Sequence, residues 1–81
     1  MNVRVKLFAA ARDIVGKDET DLSLPENSTA SAVIRLLVQQ HPKLDQWKTY
    51  LRLAVNWEYA STDQVLHNND EIAVIPPVSG G

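Results

Sequence analysis

The chain opens on an alternation. Val3, Val5 and Leu7 are apolar, and the charged Arg4 and Lys6 stand between them. A period of two predicts a strand with one buried and one wetted face. The next stretch, Ala10 to Gly16, loses that period and ends in glycine, so a helical turn or a loop is expected there. Alternation returns from Asp18 to Leu24 through Thr20, Leu22 and Leu24. The first two strands are therefore expected to pair as a hairpin with a long connection.

The period then changes. Ala30, Val33, Ile34, Leu37 and Val38 recur at three and four residues, which predicts a helix of about three turns with one apolar face. Asn27 or Ser28 can cap its start, and Pro42 stops it after His41. His41 to Tyr50 fits neither template, and Leu44, Trp47 and Leu51 suit a short helix or a packed loop equally. Leu51 to Trp57 reads as a strand through Leu53, Val55 and Trp57, with a hairpin around Asn56 to Glu58. The "HNND" stretch from His67 to Asp70 predicts a turn, because Asn and Asp tolerate left-handed backbone. Glu71 to Ile75 is a β-branched strand, halted by Pro76 and Pro77.

This order, β-β-α-β-(β)-β, predicts an α+β domain in which one main helix covers a mixed four- or five-stranded sheet, the β-grasp arrangement. In a β-grasp the first and last strands are neighbours. If Val3, Val5 and Leu7 face the helix, Phe8 faces away, and Ala73 and Ile75 share that outer face. Phe8 and Ile75 then form an apolar patch for a partner, or else Phe8 tucks against the segment from Ala10 to Val15.

Composition narrows the functional classes. Eighty-one residues suit one domain, 1–81, and 44% apolar with 22% charged residues suits a folded chain. A net charge of −2 without a basic stripe argues against nucleic acid. The absence of cysteine excludes disulfides, thiolate zinc sites and a cysteine nucleophile. Arg4, Lys6 and Arg12 interrupt the N-terminal apolar stretch, so no signal peptide is expected. No run approaches the ~20 apolar residues a membrane helix needs. A cytoplasmic domain that binds no membrane is the expectation.

A catalytic centre is not visible. His41 and His67 are far apart in sequence, and His41 at a helix end suits a cation at the negative pole of the dipole. Asp18 and Glu19 would point to opposite faces of a strand. The serines and threonines lack a nearby base, and Gly16 is the single glycine outside the last two positions. No catalytic residue, metal or permanently bound cofactor is expected.

The ending, "IPPVSGG", is different. Pro76 and Pro77 fix φ and favour an extended chain. Pro76 to Gly81 can reach about 20 Å at full extension. Gly80 and Gly81 carry no side chains, so this end suits a narrow channel in another protein, with the α-carboxylate presented there. A carboxylate becomes an electrophile once converted to an acyl-phosphate anhydride, and then accepts sulfur or an amine. Residues 75–81 are therefore expected to be a flexible, extended Gly-Gly tail on a carrier.

"KLFAAARD", "LAVN" and "NDEIAVIPPVSGG", with the length and element order, resemble the ubiquitin-like sulfur carriers, specifically the small subunits of molybdopterin synthase. The resemblance spans essentially the whole chain. It implies that Gly81 is adenylated with ATP by an enzyme of the ubiquitin-activating type and converted to a thiocarboxylate. It implies further that Pro76, Pro77, Val78, Ser79, Gly80 and Gly81 insert into a large catalytic subunit, in a heterotetramer. There the sulfur would pass to a cyclic pyranopterin precursor of molybdopterin. Phe8 and Ile75 match apolar interface positions of that family, and Arg12 a recurring basic one. The turn reads "NNDE" where relatives often have Asp-Gly-Asp-Glu, and Asp13 stands where Glu is usual. Three alternatives stand beside this reading: a thiamine-pathway sulfur carrier, a ubiquitin-like modifier joined to lysines through Gly81, and an interaction module with an incidental tail.

Overall fold

In the computed structural model, which describes residues 1–77, the opening alternation becomes strand β1 (Asn2–Leu7), with Val3, Val5 and Leu7 buried. The segment after it is a true helix, α1 (Ala9–Val15). Gly16 ends α1 at φ +84°, and its N–H donates to the Arg12 carbonyl at 2.7 Å. That left-handed cap costs glycine little and other residues more. Strand β2 (Glu19–Ser23) returns antiparallel to β1 and sets Leu22 opposite Val3.

Helix α2 (Ala30–Gln40) buries Ala30, Val33 and Leu37, with Ile34 and Val38 half-buried at the flanks. Its N-cap is Thr29, not the expected Asn27 or Ser28. Both earlier residues belong to the preceding turn: Asn27 has φ +66°, and the Ser28 hydroxyl donates to the Pro25 carbonyl at 2.7 Å. The first donors of α2 are met by backbone from a distant segment, Ala30 N–H to Gln64 at 2.8 Å and Ser31 N–H to Thr62 at 3.0 Å. After His41, a 3₁₀ helix (Pro42–Trp47) carries Leu44 into the core with no solvent exposure.

Strands β3 (Arg52–Val55) and β4 (Glu58–Ala60) form a hairpin. The expected strand through Trp57 stops two residues early. Val55 pairs with Glu58, so Asn56 and Trp57 are the two loop residues, at φ +51° and +72°. This is the mirror-image turn whose twist matches paired strands.

Strand β5 (Glu71–Ile75) lies between β1 and β3, parallel to the first and antiparallel to the second. The five-stranded order is β2-β1-β5-β3-β4, a mixed sheet with the β-grasp arrangement. α2 packs on one face. Val3, Val5, Val33, Leu37, Leu44, Leu66, Ile72 and Val74 are each less than 2% exposed. Each such side chain contributes about 1.5–3 kcal/mol relative to exposure. Ile75 belongs to β5, so the tail expected from residue 75 begins after it.

A polar clamp fixes the start of β5. Asp70 accepts from the His67 N–H at 2.8 Å and from Asn56 Nδ2 at 3.0 Å. The Glu71 N–H donates to Asn56 Oδ1 at 3.0 Å, and the Asn69 N–H donates to the Asn2 carbonyl at 2.7 Å. The β3–β4 turn, the His67–Asp70 turn and the start of β1 are thereby tied together.

Candidate functional site

Among the described residues nothing covers the sheet face opposite α2, and this face divides into two regions. One end is polar: Asn2, Arg4, Asp21, Asn56, Asn69 and Glu71 line a hollow of about 690 Å³. The other end is apolar: Phe8, Ala54, Trp57, Tyr59, Ala73 and Ile75 line a hollow of about 400 Å³. Residues two apart on β1 and β5 reach this same face, polar toward the start of β5 (Arg4, Glu71) and apolar toward its end (Phe8, Ala73, Ile75). Lys6 stands at the boundary, with its Nζ 2.9 Å from Glu71 Oε1 and 5.0 Å from the centre of the Trp57 ring.

Phe8 and Ile75 do share a surface. Phe8 keeps 40% of its area exposed and lines the apolar hollow rather than being buried against α1. Arg12 is exposed on α1, with Nε 3.8 Å from Asp18 Oδ1 and 4.0 Å from Asp13 Oδ1. It joins Phe8, Asp18 and Trp57 in lining an adjoining depression of about 370 Å³. Exposed pairs of this kind hold little energy and exchange partners readily.

The tail root is placed as well. Pro76, expected to project, is buried, while Pro77 is exposed. The expectations for Val78, Ser79, Gly80 and Gly81 lie outside the described residues. Among the described residues no group of three or more His, Asp or Glu is arranged to hold a metal. His67 is 80% exposed, with Nδ1 4.0 Å from Asp70. No helix of the described residues is long and apolar enough to cross a membrane.

Two residues of the apolar hollow escape a reading by pattern. Trp57 fits the alternation after Leu53 and Val55 and so reads as inward-facing. Tyr59 follows a turn with no glycine to mark it. Both are among the most exposed large side chains, at 68% and 72%. Tyr59 also carries the Arg52 guanidinium 5.6 Å from its ring centre, and Arg52 pairs with Ile75 across the ladder.

Relatives of the chain share this framework. The ThiS family model matches residues 5–81. The molybdopterin synthase sulfur carrier subunit of Dictyostelium discoideum is 43% identical, over 96% of this chain and 94% of that one. The protein of the same name from Arabidopsis thaliana is 36% identical, over 100% of this chain and 84% of its own. Among solved structures, SAMP1 (small archaeal modifier protein 1) of Haloferax volcanii superposes with a TM-score of 0.88 at 26% identity, covering both chains fully. The chain belongs to the ThiS family of ubiquitin-like β-grasp proteins, as a homologue of molybdopterin synthase sulfur carrier subunits.

Proposed function

We propose that this chain is the sulfur-carrying small subunit of a molybdopterin synthase, a single carrier domain over residues 1–81. The observation that carries the reading is the extent of the likeness. Sulfur carrier subunits match the chain from end to end, and the family model runs through Gly81. The carrier chemistry requires that residue.

The steps follow from the chemistry of a carboxylate. An adenylating enzyme of the ubiquitin-activating type joins the α-carboxylate of Gly81 to AMP from ATP and releases pyrophosphate. The resulting mixed anhydride is an electrophile. A persulfide sulfur displaces AMP, and a thiol supplies the electrons that cleave the S–S bond and leave the thiocarboxylate. The carrier then docks on the large subunit through Phe8, Ile75 and Arg12, with the tail from Pro77 to Gly81 in that subunit's active site and Pro76 at its root. Sulfur passes to a cyclic pyranopterin precursor, two carriers serving each dithiolene in a heterotetramer. The chain contributes the sulfur and its delivery; the catalytic residues belong to the large subunit, and the setting is the cytoplasm.

Geometry supports this division of labour. The face beside the tail root offers apolar area from Phe8, Ala54, Ala73 and Ile75. Such a surface suits the docking of another protein. The test is the intact mass after incubation with ATP, a sulfur source and the adenylating enzyme. A gain equal to exchanging one oxygen for sulfur at Gly81 is expected. No gain with a competent enzyme would sink the reading.

The likeness to SAMP1 favours one second reading, a protein modifier. The same activated Gly81 would then be attacked by lysine amines. It predicts isopeptide-linked species of higher mass in extracts, and the carrier reading predicts none.

A further inference from the structure

We propose that Trp57 is a docking anchor of this carrier, seated against the large subunit that receives its tail. The inference rests on the carrier reading and adds a residue that neither the sequence pattern nor the relatives' names single out.

The backbone is the first observation. Trp57 sits at φ +72°, the second loop position of the β3–β4 turn. Glycine is the residue for that position, because a Cβ there crowds the backbone. Asn56, at φ +51°, has a local reason to be where it is: its amide holds Asp70 and the Glu71 N–H. Trp57 gains far less from the fold. Its side chain is 68% exposed, and the cation it faces, Lys6, is already paired with Glu71 at 2.9 Å. Strained backbone that supports an exposed aromatic side chain points to a role outside the folded domain.

Position is the second. Trp57 lines both the apolar hollow, with Phe8 and Ile75, and the adjoining depression, with Arg12. It thus joins the apolar and the basic parts of one surface. A rigid indole in that place has the chemistry of an interface anchor: large area, few rotamers and a hydrogen-bond donor at its edge.

Reach is the third, and it names the occupant. Pro77, two residues after Ile75 of the hollow, is exposed. The five residues from Pro77 to Gly81 span at most about 17 Å. A protein whose active site receives Gly81 must therefore come within about 17 Å of Pro77, close to the hollow that Ile75 and Trp57 both line.

Trp57→Gly separates docking from folding, because it creates the Asn-Gly pair that this turn prefers. The free carrier is expected to melt at or above the wild-type midpoint. Its dissociation constant for the large subunit, measured by titration calorimetry, is expected to rise about tenfold or more. Trp57→Tyr, which keeps an aromatic face, is expected to fall between. An unchanged dissociation constant overturns the proposal. So does weaker binding accompanied by a midpoint more than about 4 °C lower, since that is the sign of a structural role. Self-association of the wild-type carrier that Trp57→Gly abolishes assigns the face to a second copy and also overturns it. Wild-type protein that gains sulfur at Gly81 while Trp57→Gly binds normally removes the anchor alone. Wild-type protein that gains no sulfur and does not bind the large subunit removes the carrier reading and the anchor with it.

Discussion

Ile72 on β5 sits directly opposite Val5 on β1, and neither has any exposed area. On its other side Ile72 pairs with Val55 of β3. The strand that leads to the tail is thus the middle of the sheet, bonded on both edges. Pro76 and Pro77 follow directly from this central strand. Ile72→Ala is expected to cost about 2–5 kcal/mol. Against a total of about 5–15 kcal/mol for a domain, that is a large share. Urea unfolding measures it, and a loss below 1 kcal/mol would show that β5 is not the keystone described.

The proposed carrier role assigns Gly81 to chemistry rather than to folding. Gly81→Ala is expected to slow sulfur loading or delivery, because a Cβ crowds a channel shaped for glycine. Stability is expected to stay within about 0.5 kcal/mol of wild type. Time-resolved intact mass and single-turnover delivery give the first quantity, and denaturation gives the second. Unaltered transfer would count against threading of the tail.

Phe8, which lines the same hollow as Trp57, gives a second test of the proposed docking face. Phe8→Asp puts a charge in a hollow lined by Ala54, Ala73 and Ile75. A buried carboxylate without a partner is costly, so affinity for the large subunit is expected to fall at least about tenfold. The free domain is expected to lose little stability, since Phe8 is already 40% exposed. Calorimetry and a melt on the same preparation decide it, and normal binding would clear this surface of the role.

Asp70 tests the polar clamp. Its carboxylate accepts from the His67 N–H at 2.8 Å and from Asn56 Nδ2 at 3.0 Å, with 12% of the side chain exposed. Asp70→Ala is expected to cost about 1–3 kcal/mol through donors left unpaired. Asn56→Ala in the same background is expected to add less than its own single effect, because the two residues share a bond. Strict additivity in denaturation would mean that the clamp does not act as a unit.

Local patterns written into the chain account for much of this. The alternation of Val3, Val5 and Leu7, the spacing of Val33 and Leu37, and the β-branched run before Pro76 each describe a single element meeting a single core. Their periods survive because every such residue faces the same way. The end of β3 was not legible. Trp57 continues the alternation of Leu53 and Val55, yet the pairing of Val55 with Glu58 makes it a loop residue. The cap of α2 is ambiguous along the chain for a similar reason. Three neighbouring residues, Asn27, Ser28 and Thr29, can each cap a helix, and contacts with Gln64 and Thr62 select the last.

Which faces are apolar, the order of the elements and the chemical character of the "PPVSGG" ending can all be read along the chain. These depend on residue type and on separations of a few positions along the chain. Tertiary structure alone decided that Leu44 enters the core, that Pro76 is buried and Pro77 exposed, and that Trp57 joins Phe8 and Ile75 on one surface. Phe8 and Ile75 are far apart in sequence. They meet because β5 crosses back to lie parallel to β1, as the element order of a β-grasp leads one to expect, whereas local propensity does not encode the turn that brings Trp57 beside them.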